Sequence, residues 1–210
     1  MAGITSCEIK IAVLSNYRYK KQLICADEVG FALGNTDVSV FNDGFLTEIE
    51  IKTSKSDMWQ GEKAKKQKHD IYREASPELI KKYHIPHQFF MCVPTELVEE
   101  AKKWVLTTHE KYGILEYRGS KTAGVWIPRP EDLIYVAKRA KMLHEVPYPD
   151  AWKKLARRLS SVNIILKGTV AGRNRDNQYL HNQLLEAHKL IESLKNGQNS
   201  LQTISPVEKQ

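Results

Sequence analysis

Two carboxylates and an amine occur in the sequence at a spacing that places them side by side. Asp37 opens a short β-prone run, whereas Glu50 and Lys52 belong to the alternating run Phe45–Lys52. Between the runs lies Asn42-Asp43-Gly44, which contains Asp-Gly, a favoured sequence for a two-residue hairpin turn. With that turn, Asp37 faces Glu50 across the hairpin, and Lys52 projects from the same face as Glu50.

This arrangement has a recognisable chemistry. Facing residues of neighbouring strands have Cβ atoms about 4.5–5.5 Å apart, so two facing carboxylates repel each other unless a cation lies between them. Mg²⁺ typically binds one or two carboxylates and keeps water and substrate phosphate as its other ligands. A bound metal lowers the pKa of water, and Lys52 can reach that water or the charge that develops on phosphorus. We therefore predict a phosphodiester-hydrolysing site in which Asp37 and Glu50 bind Mg²⁺, with Mn²⁺ as a substitute, and Lys52 assists the attacking water.

A second interpretation of the same residues needs no catalysis. Glu48, Glu50 and Lys52 alternate with Ile49 and Ile51, which is the usual pattern of a half-exposed strand with one solvated face. Alternation alone favours this interpretation. The acidic start of the partner strand, the apolar context and the hairpin register together favour the site.

The remaining pattern predicts the elements that position these residues. The predicted order is a helix over Ile4–Lys20, a strand over Gln22–Phe31, the hairpin over Asp37–Lys52, helices over Ser56–Ala75 and Ser76–Tyr83, a strand over His87–Val93, a helix over Thr95–Lys111, and short strands over Ile114–Tyr117 and Val125–Ile127. Strands that alternate with helices in this way predict an α/β fold in which helices flank the sheet.

Three segments are predicted along the chain. The core spans residues 1–130, and a basic helical extension spans residues 131–195, with helices over Glu131–Leu143, Asp150–Ser160 and Asp176–Lys195. A looser stretch surrounds Gly168 and Gly172. Residues 196–210 have the composition of a disordered tail.

The central motif resembles that of a known superfamily. Asp37, a turn and Glu50-Ile-Lys52 reproduce the D...ExK signature of the PD-(D/E)XK nucleases, and a helix follows, as it does in that fold. The closer resemblance is to the MmcB-like DNA-repair nucleases, through Glu50-Ile-Lys-Thr-Ser54, Asp57, Lys68 and Tyr72. It covers Asp37–Pro94, under half of the chain. The resemblance implies a restriction-endonuclease-like mixed sheet flanked by helices, followed here by the C-terminal helical extension.

Further site residues follow from the resemblance. Lys68 and Tyr72 share one face of the helix after the motif and are expected to support the metal site or contact phosphate. For Lys68, a place on the solvated face of a lysine-rich helix is an equal alternative, and for His69 it is the favoured interpretation. Many members also contribute a glutamate from the first helix, for which Glu8 is our choice and Glu28 the alternative; either could be a surface acid. The proline of the superfamily's motif is absent from this chain, since Thr36 stands before Asp37.

Net charge indicates the class of partner. The chain carries 32 Lys and Arg against 25 Asp and Glu, a net charge of +7, and its isoelectric point is about 9.2. Such a surface attracts polyanions, either nucleic acid or an anionic membrane. Ten basic residues against two acidic ones lie between Lys138 and Arg175. We predict DNA as the partner, with phosphate contacts from Lys153, Lys154, Arg157 and Arg158; a merely basic helix pair is the alternative.

Other features narrow the environment and the chemistry. No run is apolar enough to span a bilayer and no secretion signal opens the chain, so we expect a cytoplasmic protein without a membrane partner. The three cysteines lack a CxxC pair, which argues against disulfides and a zinc site. His84 and His87 flank Pro86 and could bind a metal, but a turn with exposed imidazoles is the simpler interpretation.

Two functions from different classes fit these observations. The first is a Mg²⁺-dependent deoxyribonuclease, an endonuclease of DNA repair, restriction or a mobile element, for which a homodimer is conceivable because many members of the superfamily cut duplexes as dimers. The second is a non-catalytic DNA-binding or regulatory protein that retains the nuclease fold. A third, weaker hypothesis is a protein that binds another protein through its basic helices.

Overall fold

A six-stranded sheet forms the centre of the protein. A computed structural model describes residues 4–119, 129–148, 150–151, 153–161 and 185. The strands lie side by side in chain order and are β1 (Ile24–Phe31), β2 (Gly34–Asn42), β3 (Phe45–Ile51), β4 (Gln88–Pro94), β5 (Gly113–Tyr117) and β6 (Ile134–Lys138). Strands β1 to β3 form an antiparallel meander, β3, β4 and β5 are parallel, and β6 returns antiparallel to β5. The predicted α/β fold with a mixed sheet flanked by helices is therefore confirmed.

The hairpin between β2 and β3 has the predicted turn. Asp43 and Gly44 have φ angles of 46° and 89°, the left-handed values that a type I′ turn requires at both central positions. Asn42 pairs with Phe45, and the same register continues to Val38 and Ile49. The turn fixes this register, which ends one position before Asp37 and Glu50.

The helices are α1 (Ser6–Ser15), α2 (Glu62–Ala64), α3 (Lys66–Glu74), α4 (Pro77–Tyr83) and α5 (Val98–Thr108). A π-helical turn, Asn16–Lys20, extends α1 to the end of the predicted first helix. The predicted helix over Ser56–Ala75 is divided into a π-helical turn (Asp57–Gly61), α2 and α3. Ser54, not the predicted Ser56, caps this region, since its hydroxyl accepts a hydrogen bond from Asp57 N at 3.1 Å. Ser76 and Pro77 begin α4 as predicted.

Apolar clusters bury both faces of the sheet. On one face, Ile9 and Val13 of α1 pack with Val38, Ile49 and other strand residues. On the opposite face, α3, α4 and α5 pack against alternate residues of the strands, including Met91 of β4. Strand β4 is buried on both faces, which explains why its sequence is a continuous apolar run.

The helix predicted over Glu131–Leu143 is wrong. A 3₁₀ turn (Pro130–Asp132) leads instead into β6, which occupies an edge of the described sheet. The run Ile134-Tyr-Val-Ala suits a strand, because β-branched and aromatic residues pack well on a pleated surface. Residues 139–148 have no helix or strand, and residues 151 and 153–161 are helical as predicted.

Two compact units divide the chain at Leu159. The first, Met1–Leu159, contains the sheet and extends past the boundary predicted at residue 130. The second, Ser160–Gln210, lies almost wholly outside the described residues, and so do the predicted strand Val125–Ile127, the tail 196–210 and all of the predicted helix Asp176–Lys195 except Leu185. No helix within the described part of the chain has the length and hydrophobicity to cross a membrane.

Candidate active site

The charged face of β3 is buried. Glu48, Glu50 and Lys52 are only 3%, 2% and 5% exposed, which excludes the solvated strand face as an explanation for their alternation. The helical segment that follows the hairpin covers them. A face that carries ionised groups and is withdrawn from water requires a partner for every charge, because an unpaired buried charge is very costly.

Asp37 lies beside the carboxyl end of β3. Its Oδ2 accepts a hydrogen bond from Ile51 N at 2.7 Å, from the backbone between Glu50 and Lys52. Burial raises the pKa of Asp37 and the nearby Glu50 carboxylate adds to the rise, whereas the hydrogen bond from Ile51 opposes it. The structure thus brings the three predicted catalytic residues together.

Two lysines of the covering helices neutralise Glu50. Lys68 Nζ lies 2.8 Å from Glu50 Oε1, and Lys65 Nζ lies 2.8 Å from Glu50 Oε2. Burial opposes ionisation of Glu50, but these two ammonium groups outweigh it and lower its pKa. Glu50 is therefore held as a carboxylate between two cations.

Glu48 joins the same network one position towards the hairpin turn. Its carboxylate contacts Lys68 Nζ, and Tyr72 OH donates a hydrogen bond to Glu48 Oε2 at 2.7 Å. Burial raises the pKa of Glu48, and burial together with the Glu48 carboxylate raises the pKa of Tyr72. Of the two residues predicted to support the site, Lys68 contacts both glutamates of β3 and Tyr72 contacts Glu48. Lys68 is buried, so the alternative that placed it on a solvated face is wrong.

Lys52 is held from the other side. Its Nζ lies 2.7 Å from Glu62 Oε1, 3.6 Å from Asp57 Oδ1 and 4.0 Å from Glu50 Oε2. Burial opposes ionisation of Glu62, but the hydrogen bond from His69 and the charges of Lys52 and Lys65 lower the pKa of Glu62 well below its usual range.

Sequence reasoning missed four participants: Glu48, Glu62, Lys65 and His69. A signal was available for three of them. Glu62, Lys65 and His69 are spaced three and four residues apart, as are Lys65, Lys68 and Tyr72, so each set shares one helical face. His69 is 3% exposed, which corrects its interpretation as part of a solvated face.

The two glutamates considered for a first-helix role make local contacts. The Glu8 carboxylate closes a capping box with Thr5, accepting a hydrogen bond from Thr5 N at 2.7 Å. Glu28 forms an ion pair with Lys10. Burial lowers the pKa of Lys10, but the charges of Glu28 and Asp37 outweigh this effect and raise it. A supporting role for Glu8 stays a prediction.

Contacts with other parts of the fold are seen at the predicted phosphate-binding residues Lys153, Lys154 and Arg158. Lys153 pairs with Asp150 at 2.7 Å, Lys154 Nζ lies 5.0 Å from the centre of the Phe31 ring, and Arg158 Nε donates to Asp27 O at 3.1 Å. Arg157 is exposed. Phosphate binding by these residues stays a prediction.

His87 is buried, which corrects its interpretation as an exposed imidazole. Its Nδ1 accepts a hydrogen bond from Leu46 N at 2.9 Å, and its Nε2 lies 2.7 Å from Val146 O. Burial, with a smaller effect of His144, lowers the pKa of His87 to about 4. Because both ring nitrogens are occupied, His87 is not available to a metal.

The carboxylates fit a divalent cation on one condition. Among the described residues, no group of three or more His, Cys, Asp and Glu side chains is arranged to hold a metal ion. Mg²⁺ needs fewer, since one or two carboxylates suffice when water and phosphate complete its shell. Asp37 and Glu50 are such a pair of oxygen donors, but a cation at Glu50 Oε2 would have to replace Lys65, whose side chain is 36% exposed.

Two clefts open near this region. One, of about 290 Å³, has Glu62 and His69 in its wall together with Trp59 and Arg73, and it therefore adjoins the charged network. Another, of about 400 Å³, lies near the hairpin turn and is lined by Phe45, His87 and other residues, none of them the predicted catalytic ones. Volume alone would select the second cleft, but the charged groups lie beside the first.

No protein-family model, curated protein sequence or solved structure matches the chain.

Proposed function

We propose that this protein is a Mg²⁺-dependent nuclease that hydrolyses phosphodiester bonds of DNA. The observation that carries the proposal is the grouping of half-buried Asp37 with buried Glu50 and Lys52, in which the Asp37 carboxylate accepts a hydrogen bond from the backbone between the other two. The pKa of Asp37 is raised and that of Glu50 is lowered, and neighbouring carboxyl groups with perturbed pKa values are typical of an active site.

The order of elements supports the same proposal. A helix, three antiparallel strands, a helical segment and a strand parallel to the third strand follow one another from α1 to β4. The resemblance to the PD-(D/E)XK nucleases implies a mixed sheet flanked by helices, with the signature on two adjacent strands and a helix after it, and this order agrees with that expectation. DNA as the substrate rests on that resemblance and on the net charge of +7.

Each residue has a role in this proposal. Asp37 and Glu50 would hold the metal, which when bound polarises phosphate oxygens and lowers the pKa of the attacking water. Lys52 places a positive charge beside Glu50, where it can orient the water or stabilise charge on phosphorus. Lys68 and Tyr72 hold the glutamates of β3 in place and exclude water from one side of the site.

Cleavage of supercoiled plasmid and of end-labelled single-stranded DNA tests the proposal. The wild type is assayed in Mg²⁺, Mn²⁺ or EDTA and compared with Asp37→Ala and Lys52→Ala. We expect cutting by the wild type in either metal, none in EDTA, and a loss of roughly 100-fold or more in both variants, since roughly 100-fold is the lower end of the range for a group that acts in the transition state. Glu99→Gln, a change to an exposed glutamate paired with Lys102, is the control.

A second candidate, a DNA-binding or regulatory protein without turnover, is favoured by one observation. Both oxygens of Glu50 already contact ammonium groups, so that the site is neutralised without a metal. DNA binding that weakens with salt, without cutting in any metal, would support this candidate and contradict the nuclease.

A further inference from the structure

Lys52 is clamped by the helical segment that covers β3. Of the three carboxylates within 4.0 Å of its Nζ, Glu62 is the nearest at 2.7 Å. The side chain of Asp57 is 50% exposed, whereas those of Lys52 and Glu62 are 6% and 1% exposed. Glu62 is thus the buried partner nearest to the amine of Lys52. Solvent screening weakens a surface ion pair but has less effect on a buried one.

Glu62 is itself fixed in orientation. One of its oxygens, Oε1, faces Lys52, and the other, Oε2, lies 2.8 Å from His69 Nε2. His69 Nδ1 lies 2.9 Å from Tyr112 OH. A His69 tautomer with its proton on Nε2 donates to Glu62 and accepts from Tyr112, so one arrangement of protons satisfies both hydrogen bonds of the imidazole.

The backbone beside the clamp also fits closely. A Cβ atom at Gly61 would lie 2.8 Å from Asp57 Oδ1 and 3.8 Å from Lys52 Nζ. Glycine at this position leaves room for the Asp57 carboxylate, which lies 3.6 Å from the lysine amine.

We propose that Glu62 is a positioning residue for Lys52, and that His69 and Tyr112 fix Glu62 in turn. The inference rests on the proposed function, because the role of Lys52 in catalysis belongs to it. Glu62 holds the amine beside Glu50, where it would meet the water or the phosphate. If Glu62 only balanced charge, a well-folded variant without its carboxylate would have the kcat of the wild type.

Steady-state kinetics separate positioning from charge balance. Partners that orient a functional side chain typically cost roughly 10- to 100-fold in activity when removed, and we expect such a fall in kcat for Glu62→Gln. KM for DNA and the affinity for Mn²⁺, measured by calorimetry, should stay within about twofold, because Glu62 is not among the proposed metal ligands. Glu62→Asp should recover part of the rate. Wild-type kcat in Glu62→Gln, or a loss confined to KM or Mn²⁺ affinity, would overturn the proposal.

Chemical labelling tests the clamp without any activity. Reductive methylation followed by mass spectrometry should find Lys52 protected in the wild type and modified several-fold faster in Glu62→Gln, while Lys68 keeps its protection. Unchanged protection of Lys52 would contradict the clamp. Tyr112→Phe removes only the last hydroxyl and provides a milder second variant, with a smaller change in the same direction.

The two experiments fail independently. If the wild type cuts no DNA, the proposed nuclease function is contradicted, and the labelling still decides whether Glu62 holds Lys52. If the wild type cuts DNA and Glu62→Gln changes neither kcat nor labelling, the nuclease stands and the positioning role does not.

Discussion

Strand β3 has two buried faces that are covered in opposite ways. Ile49 and Ile51 lie in the apolar cluster under α1, whereas Glu48 and Glu50 lie under the lysines and the tyrosine of the segment that contains α2 and α3. All four side chains are at most 4% exposed. The two faces therefore do not differ in burial. They differ in the side chains that cover them, which are apolar on one face and charged or polar on the other.

The difference lies in how each face tolerates change. The apolar face is stabilised by the area that it removes from water. This stabilisation does not depend on direction, and it falls in proportion to the number of buried atoms removed. The charged face has costly desolvation that only specific partners offset, so that removal of one partner leaves another charge buried and unpaired. We expect the charged face to be the more fragile one and to carry the function.

The largest effect on stability is expected from Lys68→Met. This change removes the ammonium group that Glu48 and Glu50 share and leaves their carboxylates buried. Breaking a buried ion pair from one side typically costs about 3–5 kcal/mol, which urea unfolding measures as a lower midpoint at an unchanged slope.

Lys102→Met is the matched control for this change. Lys102 pairs with Glu99 at 2.7 Å on the exposed side of α5, and surface pairs contribute roughly 0–1 kcal/mol. Equal midpoints for the two variants would show that the lysine of the charged face is not needed to offset buried charge.

A pH dependence is expected at the opposite end of β3, where burial keeps an ionisable group neutral. The pKa of His87 is lowered from 6.5 to about 4, chiefly by burial. Between these values the unfolded chain binds the proton and the folded protein does not, so stability is complete above pH 6.5 and falls as the pH is lowered towards 4. From pH 7 to pH 5 the loss should be on the order of 1–2 kcal/mol.

Unfolding in urea at several pH values measures this loss. His87→Gln, which cannot gain the proton, should show a flatter dependence between pH 7 and pH 5 than the wild type. Identical slopes for the variant and the wild type would show that His87 does not couple folding to pH.

The smallest effect is expected on the apolar face. Ile49 is fully buried, and Ile49→Val removes one methylene group at a typical cost of about 0.5–1.5 kcal/mol. Cleavage per folded molecule should be unchanged, since Ile49 points away from the charged face. If Ile49→Val has the expected stability but a lower kcat than the wild type, the apolar face also contributes to function, which would contradict the separation of roles between the two faces.

Local chemistry explains what the sequence predicts well. The hairpin, its turn and its register follow from Asp43-Gly44 and from period-two alternation, which involve residues close together in the chain. The same rules place Asp37 beside Glu50 before any tertiary contact is known.

Tertiary packing explains what the sequence does not predict. Whether Glu48 and Glu50 face water or a helix depends on Lys65 and Lys68, which approach only when the helical segment folds over β3. The short apolar run of β6 fits the period of a helix as well as that of a strand, and only its pairing with β5 decides between them. The role of Tyr112 depends on a contact across 43 residues of chain.

The most direct test of the central claim is the rate of plasmid nicking in Mg²⁺ by the wild type and by Asp37→Asn, which keeps the size of the side chain and removes its charge. We predict nicking by the wild type and a loss of roughly 100-fold or more in the variant, with unfolding free energies that agree within about 1 kcal/mol. Equal nicking rates, or no nicking by the wild type in Mg²⁺ or Mn²⁺, would contradict it.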